Sequence, residues 1–288
     1  MFNLLISAAQ LQAGFHAENW LVFDVRHDLN NHDVGRLAYE QGHIPGALYL
    51  DHERQLSAPK TGRNGRHPLP SLQEFSALMR AQGLTSSSQV VVYDASNSIY
   101  AAHLWWMLRW LGHDRVALLD GGWQAWLAAG GDVETTINQA AVTEAQAIQS
   151  VGVGAKAAMP TVDADAVAAN LRKPEFTVLD ARAENRFRGE VEPMDPVAGH
   201  IPGAINRPNM LNTQADGRFK LPADLRTEFD ALLQGKAPSQ VVHQCGSGIT
   251  ASHNLFAMEL AGLTGSSLYP GSWSEWCSDA ARPVAKGA

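Results

Sequence analysis

The sequence predicts two copies of one α/β domain in tandem, each with a mainly parallel sheet flanked by helices. Two observations lead to this fold class: four sequence blocks occur twice in the same order, and short apolar runs alternate with segments of helical periodicity. The clearest block, Gly-His-Ile-Pro-Gly-Ala, is identical at 42–47 and 199–204. A length of 288 residues suits two domains of ordinary size, each able to bury its own core.

The elements follow from the repeated blocks. The apolar, β-branched runs predict strands at 21–25, 90–93, 116–119, 177–180, 241–244 and 267–268. Helical periodicity predicts helices at 72–82, 101–111, 123–129 and 251–262. An Asp-x-Arg pair closes the first strand of each copy, as Asp24 with Arg26 and Asp180 with Arg182, and its repetition favours an internal salt bridge over catalysis.

The domain boundaries are predicted from composition. Residues 133–159 are rich in Ala, Gln, Thr and Gly and have weak periodicity, which is typical of a linker. We therefore expect a first domain at 1–132 and a second at 160–288.

Cys245 is the main candidate for a chemical role. It ends the apolar run 241–244 and precedes Gly246-Ser247-Gly248 and a helical pattern, so it is predicted at a helix N-terminus, where backbone N–H groups favour a thiolate. The first copy has Asp94 at this place, so only the second copy is expected to carry out thiol chemistry. The four residues after Asp94 contain no glycine, which predicts that their N–H groups do not converge on one atom.

Charge and composition exclude several functions. The formal net charge is -7 and no dense Lys/Arg tract occurs, which argues against nucleic acid or a membrane as a partner. Lys60, Arg63 and Arg66 are predicted to be solvated surface residues. Residues 1–15 lack the pattern of a secretory signal and no apolar run is long enough to span a membrane, so we expect a cytoplasmic protein. The two cysteines form neither a disulfide framework nor a metal-ligand pattern, and Cys277 is interpreted as incidental.

The paired Asp-x-Arg strands, the Gly-His-Ile-Pro-Gly-Ala turns, the Asp-Gly-Gly-Trp block at 120–123 and the cysteine loop together resemble the tandem rhodanese-type sulfurtransferases. The loop Cys-Gly-Ser-Gly-x-Thr is similar to that of mercaptopyruvate sulfurtransferases, whereas thiosulfate-preferring members typically have Cys-Arg-Lys-Gly-x-Thr. The resemblance covers nearly the whole chain. It implies that Cys245 takes a sulfur atom from a small-molecule donor as a persulfide and passes it to cyanide or to a thiol such as thioredoxin or a small thiol. It implies no metal and no organic cofactor.

The resemblance also implies roles for particular residues. Arg186 matches the substrate-binding arginine of the family, and Arg188 is a second candidate. In the cysteine loop, Gly246, Gly248, Ile249 and Thr250 are expected to surround the donor and the sulfur. The proton relay that the family implies is matched by Ser247, His43 and Asp33. Met194 departs from the mercaptopyruvate pattern, which has an arginine there.

Two related functions stay open on the sequence alone: a thiosulfate:cyanide sulfurtransferase, and a persulfide carrier that does not turn over. Cysteine phosphatases use a similar loop with an arginine six residues after the cysteine, but that residue here is Ala251. The physiological acceptor and the oligomeric state are not predicted.

Overall fold

A computed structural model describes residues 1–15, 17, 19–140 and 157–287, which form two compact units. The first unit comprises Met1–Ala58, Pro70–Met159 and Ala215–Phe219. The second comprises Pro59–Leu69, Pro160–Gln214 and Lys220–Ala288. Two segments are thus exchanged: Pro59–Leu69 belongs to the second unit, and Ala215–Phe219 belongs to the first. The predicted boundaries do not include this exchange, because they follow the order of residues in the chain. Residues 141–156 of the predicted linker lie outside the described residues.

The first unit contains a five-stranded sheet in the order β1-β5-β4-β2-β3, and every pairing is parallel. Its strands are β1 (Leu5–Ile6), β2 (Trp20–Asp24), β3 (Leu48–Tyr49), β4 (Gln89–Tyr93) and β5 (Val116–Leu119). Its helices are α1 (Ala8–Gly14), α2 (Asp33–Gln41), α3 (Leu72–Ala81), α4 (Ile99–Trp110) and α5 (Gly122–Ala128).

Local chemistry explains where α3 begins and why β4 is central. Ser71 and Glu74 form a capping box, in which each side chain accepts the backbone N–H of the other residue. All five residues of β4 are buried, as expected for a strand covered on both faces of a parallel sheet.

The second unit contains a four-stranded parallel sheet in the order β7-β6-β8-β9. Its strands are β6 (Thr177–Asp180), β7 (Ile205–Asn206), β8 (Val241–Gln244) and β9 (Ser267–Leu268). Its α-helices are α6 (Ala164–Arg172), α7 (Glu184–Phe187), α8 (Pro222–Leu233), α9 (Ile249–Leu260) and α10 (Ser272–Trp276), and Asn209–Asn212 and Pro238–Gln240 form single 3-10 turns.

The central strands β6 and β8 determine where Arg182 and Cys245 lie, because each residue follows the end of one of these strands. Because the two strands are parallel neighbours, with Asp180 opposite Gln244, their carboxyl ends lie at the same edge of the sheet. Trp273 and Trp276 of α10 are fully buried in the core on which this sheet rests. Arg182 and Cys245, which follow the ends of β6 and β8, therefore lie at the same edge of the sheet.

The two-domain α/β fold and its parallel sheets are confirmed, and the long strands lie within one residue of the predicted ranges. The sequence analysis did not predict α1, α2, α6, α7, α8 or α10. It also missed the two-residue strands β1, β3 and β7, which are too short to show periodicity. Among the residues that the structure describes, no helix has both the length and the apolar character required to cross a bilayer.

Candidate active site

The cysteine loop holds the Cys245 sulfur against backbone donors. The N–H groups of Ser247 and Gly248 point at Cys245 Sγ, at 3.4 and 3.2 Å. Cys245 as a whole residue is 2% exposed. Helix α9 begins immediately after this loop, so the positive end of its dipole adds to the two N–H groups. The arrangement stabilises a sulfur anion.

The backbone of the loop is fixed from behind by the start of α10. Cys245 donates its N–H to Ser272 Oγ at 3.1 Å, and its carbonyl accepts the N–H of Trp273 at 3.0 Å. The next carbonyl, of Gly246, accepts the N–H of Ser274 at 3.0 Å. These bonds join the backbone of Cys245 and Gly246 to the first residues of α10.

The two glycines of the loop have different reasons to be glycine. Gly248 has a φ of 91°, in the left-handed region, and an added Cβ would lie 2.7 Å from the carbonyl oxygen of Pro270. Gly246 has no positive φ; instead an added Cβ would lie 2.6 Å from Nη2 of Arg66. Gly246 therefore leaves room for a guanidinium group beside the cysteine.

Two arginines lie over this part of the loop. Nη2 and Nη1 of Arg186 are 3.7 and 3.8 Å from the position of a Gly246 Cβ, so the predicted substrate-binding arginine faces the loop. Arg186 Nη2 is anchored by Glu192 Oε1 at 2.6 Å. Arg66 forms an ion pair with Asp195 and is 22% exposed at its side chain. Its predicted role as a solvated surface residue is therefore wrong, because the exchanged segment Pro59–Leu69 places Arg66 in the second unit.

A third arginine stands behind these two. Arg182 pairs with Asp180 at 2.7 Å and reaches Glu192 at 3.4 Å, which confirms the predicted strand-end salt bridge. Burial alone would lower the pKa of Arg182, but the nearby charges of Asp180, Glu192 and Cys245 raise it overall. Arg182 thus remains a fixed positive charge near the sulfur.

Ser247 has a histidine partner, but a different one from that predicted. Its Oγ lies 2.8 Å from Nδ1 of His67, and both side chains are buried. The tautomer of His67 decides which atom donates. His67 enters the second unit on the same segment as Arg66.

The structure gives His43 a structural position. Its Nδ1 lies 2.7 Å from the carbonyl oxygen of Tyr39, its Nε2 lies 3.2 Å from Asn138, and the ring is fully buried and stacked on Tyr39. His200 in the second copy stacks on Phe187 and contacts the Phe187 carbonyl in the same way. The repeated histidine therefore holds the repeated turn, and it is His67, not His43, that contacts Ser247 in this structure.

Other predicted site residues also lie away from this chemistry. Asp33 is half-exposed and pairs with Arg54 and Arg36 on the surface of the first unit, so it orients no relay histidine in this structure. Arg188 is 37% exposed at its side chain and is held by Glu184 and Glu190, so its guanidinium is committed to two surface carboxylates.

The residues at the end of the cysteine loop and the second cysteine, Cys277, are largely shielded from solvent. Ile249 is buried and Thr250 is half-buried, and both are the first residues of α9. Cys277 follows α10, and burial, with the charges of Asp195 and Glu192, raises the pKa of its thiol to about 11. In the described parts of the chain, no three His, Cys, Asp or Glu side chains are grouped so that they could hold a metal ion.

The corresponding loop of the first unit also forms a cradle, contrary to the expectation from its lack of glycine. The Asp94 carboxylate accepts the N–H groups of Ser96, Ser98, Tyr100 and Ala101 at 2.8 to 2.9 Å. Asn97 and Ser98 adopt φ values of 55° and 64°, in the left-handed region that glycine adopts more readily, so the N–H groups converge without a glycine. A carboxylate therefore occupies the place that the sulfur occupies in the second unit.

We expect Asp94→Asn to destabilise the first unit by about 1–3 kcal/mol, because an amide NH₂ would face backbone donors that have no other acceptor. Urea unfolding followed by fluorescence measures this change. Asp114→Asn is the matched control, since the Asp114 carboxylate is 70% exposed. Equal midpoints for Asp94→Asn and the wild-type chain would show that the four hydrogen bonds add little.

The chain is similar to known proteins over nearly its whole length. The sequence profile of the rhodanese-like domain matches residues 7–129 and 163–279. A probable 3-mercaptopyruvate sulfurtransferase from Pseudomonas aeruginosa is 47% identical over 287 residues, which cover 98% of each chain. A putative thiosulfate sulfurtransferase from Mycobacterium tuberculosis is 39% identical over 290 residues, covering 99% of this chain and 98% of the relative. The solved structure of 3-mercaptopyruvate sulfurtransferase from Leishmania major has a TM-score of 0.78 at 28% identity and covers 95% of this chain and 74% of its own.

Proposed function

The chain belongs to the rhodanese family, with two rhodanese-like domains, and from this premise we propose that it is a sulfurtransferase that uses 3-mercaptopyruvate as donor. The sulfur passes through a Cys245 persulfide to a thiol or to cyanide. One observation carries this proposal: Cys245 Sγ faces two N–H groups while the guanidinium groups of Arg66 and Arg186 lie beside the same loop. This combination serves a sulfur nucleophile and an anionic donor together.

The first step is attack of the Cys245 thiolate on the thiol sulfur of mercaptopyruvate. An S–S bond forms, the donor C–S bond breaks, and its electron pair becomes the enolate of pyruvate. The persulfide keeps the hydrogen of the donor thiol until it ionises, and the N–H groups of Ser247 and Gly248 then stabilise its charge. The net products are a persulfide anion and, once the enolate is protonated, pyruvate.

The enolate carbon needs a proton, and the Ser247–His67 pair is placed to supply it. Ser247 is two residues after the nucleophile, and its Oγ is 2.8 Å from His67 Nδ1. Ser247 would donate its hydroxyl proton to the enolate and recover one from protonated His67. The proton lost by the persulfide restores the balance, so the half-reaction consumes no acid.

The donor carboxylate needs a permanently charged, planar partner. Arg186 is held in place by Glu192 and Arg66 by Asp195, so both guanidinium groups are oriented before the donor arrives. Preorganised charge-assisted hydrogen bonds of this type orient the donor sulfur toward the thiolate.

The second half-reaction regenerates the enzyme. An acceptor thiol attacks the outer persulfide sulfur, the S–S bond breaks, and the Cys245 thiolate is released. We propose a thiol such as thioredoxin or a small thiol as acceptor, since a thiolate is a strong nucleophile toward sulfur. We place this exchange in the cytoplasm, where thiols are kept reduced.

Thiosulfate is the alternative donor, and Arg66 is the observation that favours it. The cysteine loop lacks the cations typical of thiosulfate-preferring members, yet Arg66 brings a guanidinium group next to Gly246. The Mycobacterium tuberculosis relative is named a putative thiosulfate sulfurtransferase. A persulfide carrier without turnover would require neither Arg186 nor the Ser247–His67 pair.

Steady-state sulfur transfer from mercaptopyruvate and from thiosulfate, measured side by side with cyanide and with thiols as acceptors, tests the proposal. We expect multiple turnovers and a higher kcat/KM with mercaptopyruvate. A single round of loading without turnover would indicate the carrier, and a higher kcat/KM with thiosulfate would indicate the alternative donor.

We expect Arg186→Ala to lower kcat/KM for mercaptopyruvate about ten- to a hundredfold, the value of one charge-assisted hydrogen bond. Arg188→Ala is the matched control, because Arg188 lies two positions further along the chain and pairs only with the surface residues Glu184 and Glu190 in the contacts described above. Kinetics of both variants decide the assignment. Losses of equal size in the two variants would remove Arg186 from the donor site.

A further inference from the structure

Asp195 orients Arg66, and it also places a buried negative charge beside the donor site. Its side chain is only 4% exposed, and it forms an ion pair with Arg66. Its second oxygen, Oδ2, is buried without a hydrogen-bond partner, and the nearest guanidinium nitrogen recorded for it, Arg186 Nη2, is 3.6 Å away. Asp195 therefore lies between the two arginines that face the cysteine loop.

The neighbouring carboxylate, Glu192, is fully engaged by contrast. Its oxygens accept from the side chains of Arg186 and Arg182 and from the backbone N–H groups of Met194 and Asp195. Glu192 thus serves as a structural anchor. Asp195 is the carboxylate whose charge is least satisfied, and Arg66 Nε beside it is likewise a buried donor without an acceptor.

The side-chain charges of the cluster cancel before any donor binds, because three guanidinium groups (Arg66, Arg182, Arg186) face three carboxylates (Asp180, Glu192, Asp195). The Cys245 thiolate therefore gives the site an excess of one negative charge. A monoanionic donor adds one further negative charge to this buried cluster, whereas a dianionic donor adds two. Repulsion between like charges at this depth rises with each added charge.

We propose that Asp195 is a specificity-determining residue that discriminates against dianionic sulfur donors and so favours a monoanionic keto acid. Arg66 places a cation beside Gly246, and the negative charge of Asp195 offsets part of it, so a carboxylate monoanion is bound better than the thiosulfate dianion. This inference rests on the proposed function, because it assigns the donor class of the same site.

Asp195→Asn removes the charge and keeps the shape of the side chain. We expect the ratio of kcat/KM for thiosulfate to kcat/KM for mercaptopyruvate to rise about tenfold or more, the effect of one unit charge a few ångströms from the donor. Asp195→Glu retains the charge and should keep the wild-type ratio. Glu190→Gln, which removes an exposed carboxylate paired with Arg188 on the same segment, should also keep it.

A binding measurement separates this inference from the proposed function. Sulfate and pyruvate, a dianion and a monoanion, are tested for protection of Cys245 against alkylation, which requires no turnover. Asp195→Asn should strengthen protection by sulfate more than protection by pyruvate. An unchanged donor ratio in Asp195→Asn, or the same change in Glu190→Gln, would overturn the inference. If the wild-type chain transferred sulfur from neither donor, the proposed function would fail, and the alkylation experiment would still decide the role of Asp195.

Discussion

Cys245→Ser is expected to abolish sulfur transfer, and Cys277→Ser is expected to leave it largely intact. Serine at 245 would still fit the loop, but its hydroxyl is a far weaker nucleophile than a thiolate. The contacts described for Cys245 are to the N–H groups of Ser247 and Gly248 and to Ser272 Oγ, and none of these is a base. Cys277 lies beyond α10, and burial raises the pKa of its thiol to about 11, so it is protonated at neutral pH. Steady-state assays with both acceptors measure the two variants.

Alkylation by iodoacetamide provides the control for this pair. The wild-type chain and Cys277→Ser should be inactivated at the same rate, whereas Cys245→Ser should incorporate little reagent at neutral pH. Residual turnover in Cys245→Ser that disappears when Cys277 is also replaced would contradict this prediction and assign the chemistry to Cys277.

His67→Ala is expected to lower kcat with mercaptopyruvate by about 10²- to 10⁴-fold, the usual range for loss of a positioned general acid. The effect should be much smaller with thiosulfate, because sulfite leaves with its electron pair and needs no proton on carbon. Ser247→Ala should reproduce the loss, since its Oγ is the atom that contacts His67 Nδ1.

The double variant His67→Ala, Ser247→Ala tests whether the two side chains act as one unit. Residues that transfer the same proton are strongly non-additive, so the double variant should lose little more than either single variant. Losses of similar size with both donors would instead mean that His67 only supports the loop.

Sequence reasoning predicted the setting of Cys245 because strand, glycine turn and helix are contiguous in the chain around it. It also predicted both strand-end ion pairs, Asp24 with Arg26 and Asp180 with Arg182. The partners of each pair lie only two positions apart in the chain. Each of these features depends on local geometry, which a single sequence displays directly.

The residues that were missed depend on a segment exchanged between the units. Arg66 and His67 lie in Pro59–Leu69, which belongs to the second unit although it follows the first three strands in sequence. A signal was present: Gly-Arg-x-x-Leu-Pro occurs at 65–70 and again at 217–222, and each copy overlaps one of the exchanged segments. Repeats at such positions indicate a shared structural task even where composition suggests only a surface loop.

Two other errors have a physical explanation. The relay was assigned to His43 from its turn, but the same turn holds His200 against Phe187, which identifies the histidine as part of the turn itself. The loop after Asp94 was expected to be open because it lacks glycine. Its carboxylate instead accepts four backbone N–H groups, and these bonds offset the strain of positive φ at Asn97 and Ser98.

The most direct test of the central claim is peptide-level mass spectrometry of the wild-type chain after a brief reaction with mercaptopyruvate in the absence of an acceptor. We predict one added sulfur atom, confined to the peptide that contains Cys245, one pyruvate released for each sulfur bound, and removal of the sulfur by cyanide. Pyruvate release without a persulfide, or a persulfide on Cys277 instead of Cys245, would contradict the account.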